Sequence, residues 1–325
     1  MNVTILSESV IRRAVGAEPA ALEAIAEAFV ALSAGRVSMP PVIRVDIHAF
    51  GGEVDVKTAY IEGLDSFAIK IASGFPGNTA RGLPSGSGLM VLMGAETGFL
   101  QAVLLDNGYL TDLRTGLAGA LAARHLAPLQ VDTVGVFGSG QQARWQVRCL
   151  RLVRDFRRVL VHAQTPANRD RYVAEMQAEL GLEVLAVDDP AELAAQSQVI
   201  ITTTPSRSPW LRAQWLHPGL HITAVGADGE HKQELEAGIV AAADVLACDS
   251  RRQCERLGEM RHLPPGGIER VAELGELAAG LQPGRQHEDA VSVCDLTGVG
   301  VQDTAIARLC LARAMALGLG TPFAD

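Results

Sequence analysis

The stretch VDTVGVFGSGQQARWQVRCL constrains this chain more than any other. It sets Gly138, Gly140 and Ala143 in GxGxxA spacing, directly after an apolar run and at the opening of an amphipathic one. In that context the first glycine permits a tight turn and the second lets backbone approach a pyrophosphate. The small Ala143 lets helix and strand pack closely. Short apolar runs, most of them separated by amphipathic stretches, then continue towards residue 300: RVLVHAQ, LEVLAVDD, SQVIITTTPS, LHITAVGAD, ADVLACDS and AVSVCDLTG. The pattern predicts the α/β class, with a doubly wound parallel Rossmann sheet that binds NAD(H) or NADP(H).

The tip of the second strand of this sheet reads VLVHAQTPANRD. An acid there would bind the ribose 2′-OH and repel a 2′-phosphate. None is present at His162, Ala163, Gln164 or Thr165, and Arg169 and Arg144 are nearby. This tilts the reading towards tolerance of NADP(H), although Gln164 or Thr165 would also bind an unphosphorylated ribose. Thr203, Thr204, Pro205 and Ser206 end the fourth strand at the same edge, and the segment TGVGVQD ends the last. Thr115, Ser139, Gln141, Val225, Gly226, Val299 and Gly300 complete the candidate cofactor-binding set.

The first third has another texture. Residues 19–34 read as a helix, with Pro19 at its first position and Gly35 placed to end it. From about 42 to 106, short runs broken by Gly, Pro and Asn predict a mostly antiparallel sheet or half-barrel. Thr111 or Asp112 is the expected N-cap of an Ala-rich helix over 114–127, and a last helix over 301–317 is placed to return to the first domain. The expected domains are an α+β unit of residues 1–115 with 303–325 and a Rossmann unit of residues 116–302.

Charge and composition narrow the partners. The net charge is −9 without a clustered basic stripe, so nucleic acid is not an expected partner. No apolar run reaches the roughly 20 residues of a membrane span, and the N-terminus has no leader pattern, so a soluble, cytoplasmic protein is expected. Five cysteines with no CxxC pair fit structural thiols in a reducing compartment and no metal site. Only three of the 28 basic residues are lysines, yet Lys70 sits inside the apolar run SFAIKIASG. Arg44, Lys57 and Arg114 occupy similar settings. Cations in such places must pair with acids such as Asp46, Asp55 or Asp112, or converge on an anionic ligand, which here would be a carboxylate. Asp228 follows the fifth strand at the edge where open α/β sheets bind ligands. As an isolated residue it would read as a cap or a turn.

Taken together, Arg44, FAIKIASGFPGN, LRTGLAGALAARHLA, VGVFGSGQQA, VIITTTPS, AVGADGEHKQEL and DLTGVGVQD resemble the ornithine cyclodeaminase and mu-crystallin family over essentially the whole chain. DVKTAYIEGLDSFAIK and LLDNGYLTDLRT look closest to the branch associated with ectoine utilisation and imino-acid reduction. The resemblance implies a homodimer whose first domain binds substrate and forms the subunit interface. It also implies that Arg44, Lys70 and Arg114 hold the substrate carboxylate and polarise the amine or imine. Asp228 would take an acid/base or water-orienting role, and Ser85 that of a substrate-contacting hydroxyl. Lys57 suits a second carboxylate or a short neutral side chain better than the distal ammonium of ornithine. The expected function is therefore NAD(P)-dependent reduction of a small 2-imino acid or oxidation of a 2-amino acid, with Lys70 and Asp228 catalytic. The alternatives are a cyclodeaminase, for which Asp55 or Glu53 would have to receive an ω-ammonium, and a crystallin-like NADPH-binding protein.

Overall fold

The computed structural model describes residues 2–324. The chain divides into two compact units, Met1–Arg114 with Val299–Asp325 and Thr115–Gly298. No helix among the described residues is long and apolar enough to cross a membrane.

Unit one opens with β1 (Asn2–Ser7), α1 (Glu8–Ala14) and α2 (Pro19–Ser33). The strands β2 (Val37–Ser38), β3 (Ile43–Ile47), β4 (Gly52–Ile61), β5 (Ser66–Gly74), β6 (Gly86–Gly94) and β7 (Leu100–Leu105) follow. Then α3 (Tyr109–Leu126) begins in unit one and ends in unit two. Its start differs from the expected one. Asp106, not Thr111 or Asp112, accepts the Leu110 N–H (2.8 Å). The turn before the helix uses Asn107 at φ 50° and Gly108 at φ 88°. Thr111 and Asp112 therefore lie inside the first turn.

Unit two alternates β8 (Thr133–Phe137), α4 (Gln141–Leu150), β9 (Arg158–His162), α5 (Pro166–Leu180), β10 (Glu183–Ala186), α6 (Pro190–Gln196), β11 (Val199–Thr202) and β12 (His221–Ala224). After the short α7 (Ala237–Ala242) come β13 (Val245–Cys248), α8 (Arg251–Cys254), β14 (Ala272–Glu273), α9 (Leu274–Ala278) and β15 (Ser292–Asp295). All pairings are parallel, in the order β10-β9-β8-β11-β12-β15-β13-β14. The order reverses beside β8, which places a ligand crevice at the carboxyl ends of β8 and β11. Alternate residues of each strand serve the two faces. Val159, Val161, Val199 and Ile201 enter one apolar cluster with Tyr172 and Met176, while Leu160, Ile200 and Ile222 enter another with Leu235 and Ile239. Strands covered on both faces read as continuous apolar runs, which is why they are visible in the sequence.

The chain then returns to unit one as α10 (Gly300–Ala316) and β16 (Thr321–Ala324). The sheet order there is β16-β1-β7-β6-β5-β4-β2, with β3 also on β4, and every pair is antiparallel except β1 with β7. The strand β1, helix α1 and strand β16 were not expected. Leu22, Ile25 and Phe29 of α2 are buried at helical spacing, and α2 packs on α10. Helix α10 lies on β4 and β5, where Thr304 donates to Ala59 O (2.7 Å) and accepts from Ala68 N (3.0 Å). Gly300 makes this approach possible, since a Cβ there would stand 2.6 Å from Thr58 O.

Candidate active site

In β5, alternation puts Ser66, Ala68 and Lys70 on the buried face. Lys70 is 2% exposed and its side chain meets α10, where Nζ lies 3.2 and 3.1 Å from the carboxylate oxygens of Asp303. Arg114, from the first part of α3, brings its Nε within 3.1 Å of the same carboxylate. Its Nη1 donates to Gln302 Oε1 (3.2 Å), and Gln302 Nε2 donates back to Arg114 O (3.0 Å). Lys57 of β4 stands directly opposite Lys70 in the register. Burial first, then the charges of Arg114 and Lys57, bring Lys70 from 10.5 to about 7, against the opposing pull of Asp303. Asp106, also buried, has its carboxyl pushed up by desolvation. The Asp303 carboxylate thus lies between two buried cations, Lys70 and Arg114, a setting that suits an anionic ligand.

The other residues expected around the substrate are placed differently. Arg44 lies on β3 opposite Asp55 of β4, which is two residues along the same face from Lys57. It is exposed and ion-paired with Glu53 and, at 3.2 Å, with Asp46. Ser85 is exposed in the loop before β6, its carbonyl accepting from Phe75 N (2.7 Å). Asp55 Oδ1 is buried without a hydrogen-bond partner. Sequence reasoning missed Asp303 and Gln302 as site residues. The signal available was their place in TGVGVQDTAI, polar positions at the start of an otherwise apolar helix.

The cavity expected to take a dinucleotide is lined by residues of unit two. Gly138, at φ 111°, makes the turn after β8, and a Cβ there would stand 2.6 Å from Thr203 Oγ1. Gly140 precedes α4, makes no side-chain cap, and a Cβ on it would meet nothing within 4 Å. Both line a cavity of about 310 Å³, together with Ser139, His162, Ala163, Gln164, Thr165, Asn168, Thr203–Ser206 and Trp210. Open space above Gly140, beside the N-terminus of α4, fits a pyrophosphate. Thr165 caps α5 without using its side chain and is one of the residues lining the cavity.

The two arginines that tilted the cofactor reading are committed elsewhere. Arg144 donates to Ser139 O (2.6 Å), Gly140 O (3.0 Å) and Glu175, so it ties the glycine turn to α5. Arg169 pairs with Asp188 and, at 3.7 Å, with Asp170. No Arg or Lys is among the cavity-lining residues, and no Asp or Glu is either, so the end of β9 offers neither a cation for a 2′-phosphate nor an acid to repel one. Thr115 O accepts from the buried Gln146 (2.9 Å), Val225 N donates to Thr202 O (2.9 Å), and Gln141 is exposed at the first turn of α4. Val299 and Gly300 fall in unit one, at the start of α10. Asp228, exposed after β12, is 2.5 Å from Lys232. Among the described residues, no three His, Cys, Asp or Glu side chains are grouped to hold a metal ion.

Comparison with known proteins gives concordant matches. A model of the ornithine cyclodeaminase/mu-crystallin family matches residues 3–317. An uncharacterized cyclodeaminase of Sinorhizobium fredii is 46% identical over 99% of both chains. The structure of Thermococcus litoralis Δ1-pyrroline-2-carboxylate reductase with NADH and L-proline superposes with a TM-score of 0.91 at 28% identity, covering 98% of this chain and 99% of that one. An archaeal alanine dehydrogenase dimer with bound NAD gives a TM-score of 0.89 at 32% identity, covering 100% and 99%.

Proposed function

From the premise that the chain belongs to the ornithine cyclodeaminase/mu-crystallin family, we propose that it is an NAD(P)-dependent oxidoreductase that reduces the C=N bond of a small 2-imino acid, with NAD(H) preferred. The observation that carries this reading is the buried Lys70–Asp303–Arg114 cluster, in which one carboxylate lies between two cations. Relatives named for pyrroline-2-carboxylate reduction and alanine dehydrogenation support it, and the structures of those relatives hold NADH and NAD. Placement in the branch associated with ectoine utilisation and imino-acid reduction is part of the same proposal.

Arg114 binds the substrate carboxylate, held by Gln302 and Asp303. Arg44 joins it only by releasing Glu53 or Asp46, and Ser85 contributes a hydroxyl at the loop. Lys70, close to neutrality in its titration, polarises the imine and favours its protonated form. The glycine turn, Gln164, Thr165 and Thr203–Pro205 orient the dinucleotide, which supplies the hydride when bound. With the dinucleotide bound, the imine carbon would take up a hydride and the nitrogen a proton, for which Asp228 is the proposed acid/base group. Orientation of the reacting carbon supplies much of the rate.

The protein is proposed to act as a homodimer. Ile43 and Val45 stand exposed on the edge strand β3, apolar side chains on an edge of the kind that associates. A cyclodeaminase is the second reading, favoured by the buried, unpartnered Asp55 Oδ1, which is placed to accept an ω-ammonium. The deciding assay follows NADH and NADPH oxidation with cyclic 2-imino acids and with 2-oxo acids plus ammonium or methylamine. Ornithine with catalytic NAD runs in parallel. Stoichiometric loss of NADH supports the reductase. Ammonia release from ornithine without net cofactor change replaces it with the cyclodeaminase. Tight cofactor binding with no turnover on any of these substrates favours the binding-protein reading.

A further inference from the structure

Glu234, in the HKQEL stretch after β12, is fully buried and does not line the dinucleotide cavity. Its side chain nevertheless joins the tips of two neighbouring strands. Oε1 accepts from Thr204 N (2.5 Å), while Oε2 accepts from the Thr202 hydroxyl (2.8 Å) and from Gly226 N (2.8 Å). Thr202 is the last residue of β11, Thr204 lies in the wall that leaves it, and Gly226 lies in the turn that leaves β12. The main chain of the same residue extends the hold. Glu234 O accepts from Trp210 N (2.7 Å) and Leu211 N (3.1 Å), and Glu234 N donates to Glu259 Oε1 (2.6 Å).

These contacts reach the glycine turn in one further step. Thr203, between two of the anchored residues, donates to Phe137 O through its N–H (2.9 Å) and its hydroxyl (3.1 Å). The same hydroxyl oxygen faces Gly138 closely enough that no side chain fits between them. The 203–206 wall, Trp210 and the glycine turn therefore take their spacing from one carboxylate beneath them. Three donors converge on two oxygens, an arrangement a carboxylate satisfies and an amide does not, because its NH₂ would face other donors. Gly226 belongs to this arrangement too, since a Cβ there would stand 2.5 Å from Glu234 Oε2.

We infer that Glu234 is a positioning residue for the cofactor, holding the 203–206 wall and the 225–226 turn at the spacing a dinucleotide requires without touching it. The inference rests on the reading of the cavity as a dinucleotide site. It is tested by titrating NADH into the purified full-length wild-type protein, Glu234→Gln and Thr202→Val, with melting curves for each. Glu234→Gln is expected to raise the Kd for NADH by about tenfold or more, and Thr202→Val, which loses one donor of three, by roughly two- to fivefold. The KM for the imino acid at saturating NADH should stay within about twofold of wild type, a split that general destabilisation does not produce. A Glu234→Gln protein that melts earlier but binds NADH as wild type does overturns the inference. If that variant does not fold, unchanged NADH affinity in Thr202→Val overturns it instead. A wild-type protein that binds no NADH refutes the dinucleotide reading itself, and the positioning role with it, whereas a binding wild type with unaffected variants refutes only the role of Glu234.

Discussion

Replacing Gly140 by valine should abolish dinucleotide binding while leaving the fold intact, and the structure makes both halves quantitative. The backbone at Gly140 is extended, φ −83° and ψ −170°, a conformation valine adopts readily. A Cβ there meets no protein atom within 4 Å, so no packing is disturbed. Removing glycine also narrows the unfolded ensemble, so stability should hold or rise by up to about 1 kcal/mol. Gly138 is the contrast, since φ 111° and the nearby Thr203 hydroxyl exclude any side chain. In the proposed site, the empty volume over Gly140 is the place for a pyrophosphate that meets the opening of α4. Loss of two charge-assisted bonds, at about 1.5–3 kcal/mol each, weakens binding by roughly 3–6 kcal/mol, or about a hundred- to ten-thousandfold. NADH fluorescence titration and a melting curve read the two halves separately. A Kd within threefold of wild type would refute the placement of the pyrophosphate, and a melting point several degrees lower would refute the claim that Gly140 is free of packing.

Lys70→Ala should remove turnover and leave NADH affinity within about twofold, because Lys70 lies in unit one and every residue lining the cavity lies in unit two; turnover at the wild-type rate would end its catalytic assignment. Asp303→Asn withdraws the carboxylate that holds the proton on Lys70, so the alkaline limb of kcat/KM should move down by about a unit or more, and an unmoved limb would show that Asp303 does not set that titration. Burial raises Glu234 and Glu259 from 4.5 to about 7, so the native state binds more protons than the unfolded one between those values and stability falls as pH rises through them. Lys70, lowered from 10.5 to about 7, binds fewer protons when folded, and its contribution recovers from pH 7 upward. Denaturant titrations should therefore find a local minimum near neutrality in wild type, its acid side flattened in Glu259→Gln; a monotonic curve in wild type would contradict both assignments. All five cysteines are buried, with Cys149 and Cys310 pushed up to about 12, so a thiol reagent should label none in the native protein and all after denaturation.

How much was legible in the sequence follows from how local each feature is. The parallel unit was visible because β8, β9, β11, β12 and β15 are covered on both faces and the glycine turn directly follows the first of them. The ends of unit one were not, since β1 and β16 are short strands whose pairing joins residues such as Val3 and Phe323 across almost the whole chain. The start of α3 was misplaced because Asp112 and Asp106 compete as caps, and the positive φ of Asn107 and Gly108 decides between them. Lys70 and Arg114 were recognisable as cations in apolar settings. Their shared partner was not, because Asp303 comes from 233 residues beyond Lys70. Arg144 shows the same blindness one helix away, its charge being taken by Glu175 at a distance of 31 residues.

The discontinuity of unit one bears on the order in which the chain can mature during synthesis. Unit two is contiguous, Thr115–Gly298, and all its strands have emerged before α10 is made. Unit one must wait, because β16 pairs with β1 and α10 seals β4 and β5. Until that helix docks, Lys70 on the sheet and Arg114 on α3 have no Asp303 between them, and both cations are without the carboxylate they are buried against. Domains usually complete from the N-terminal end outward during translation. Here the second to begin is the first that can finish, and the step that closes the first is also the one that assembles its charge cluster.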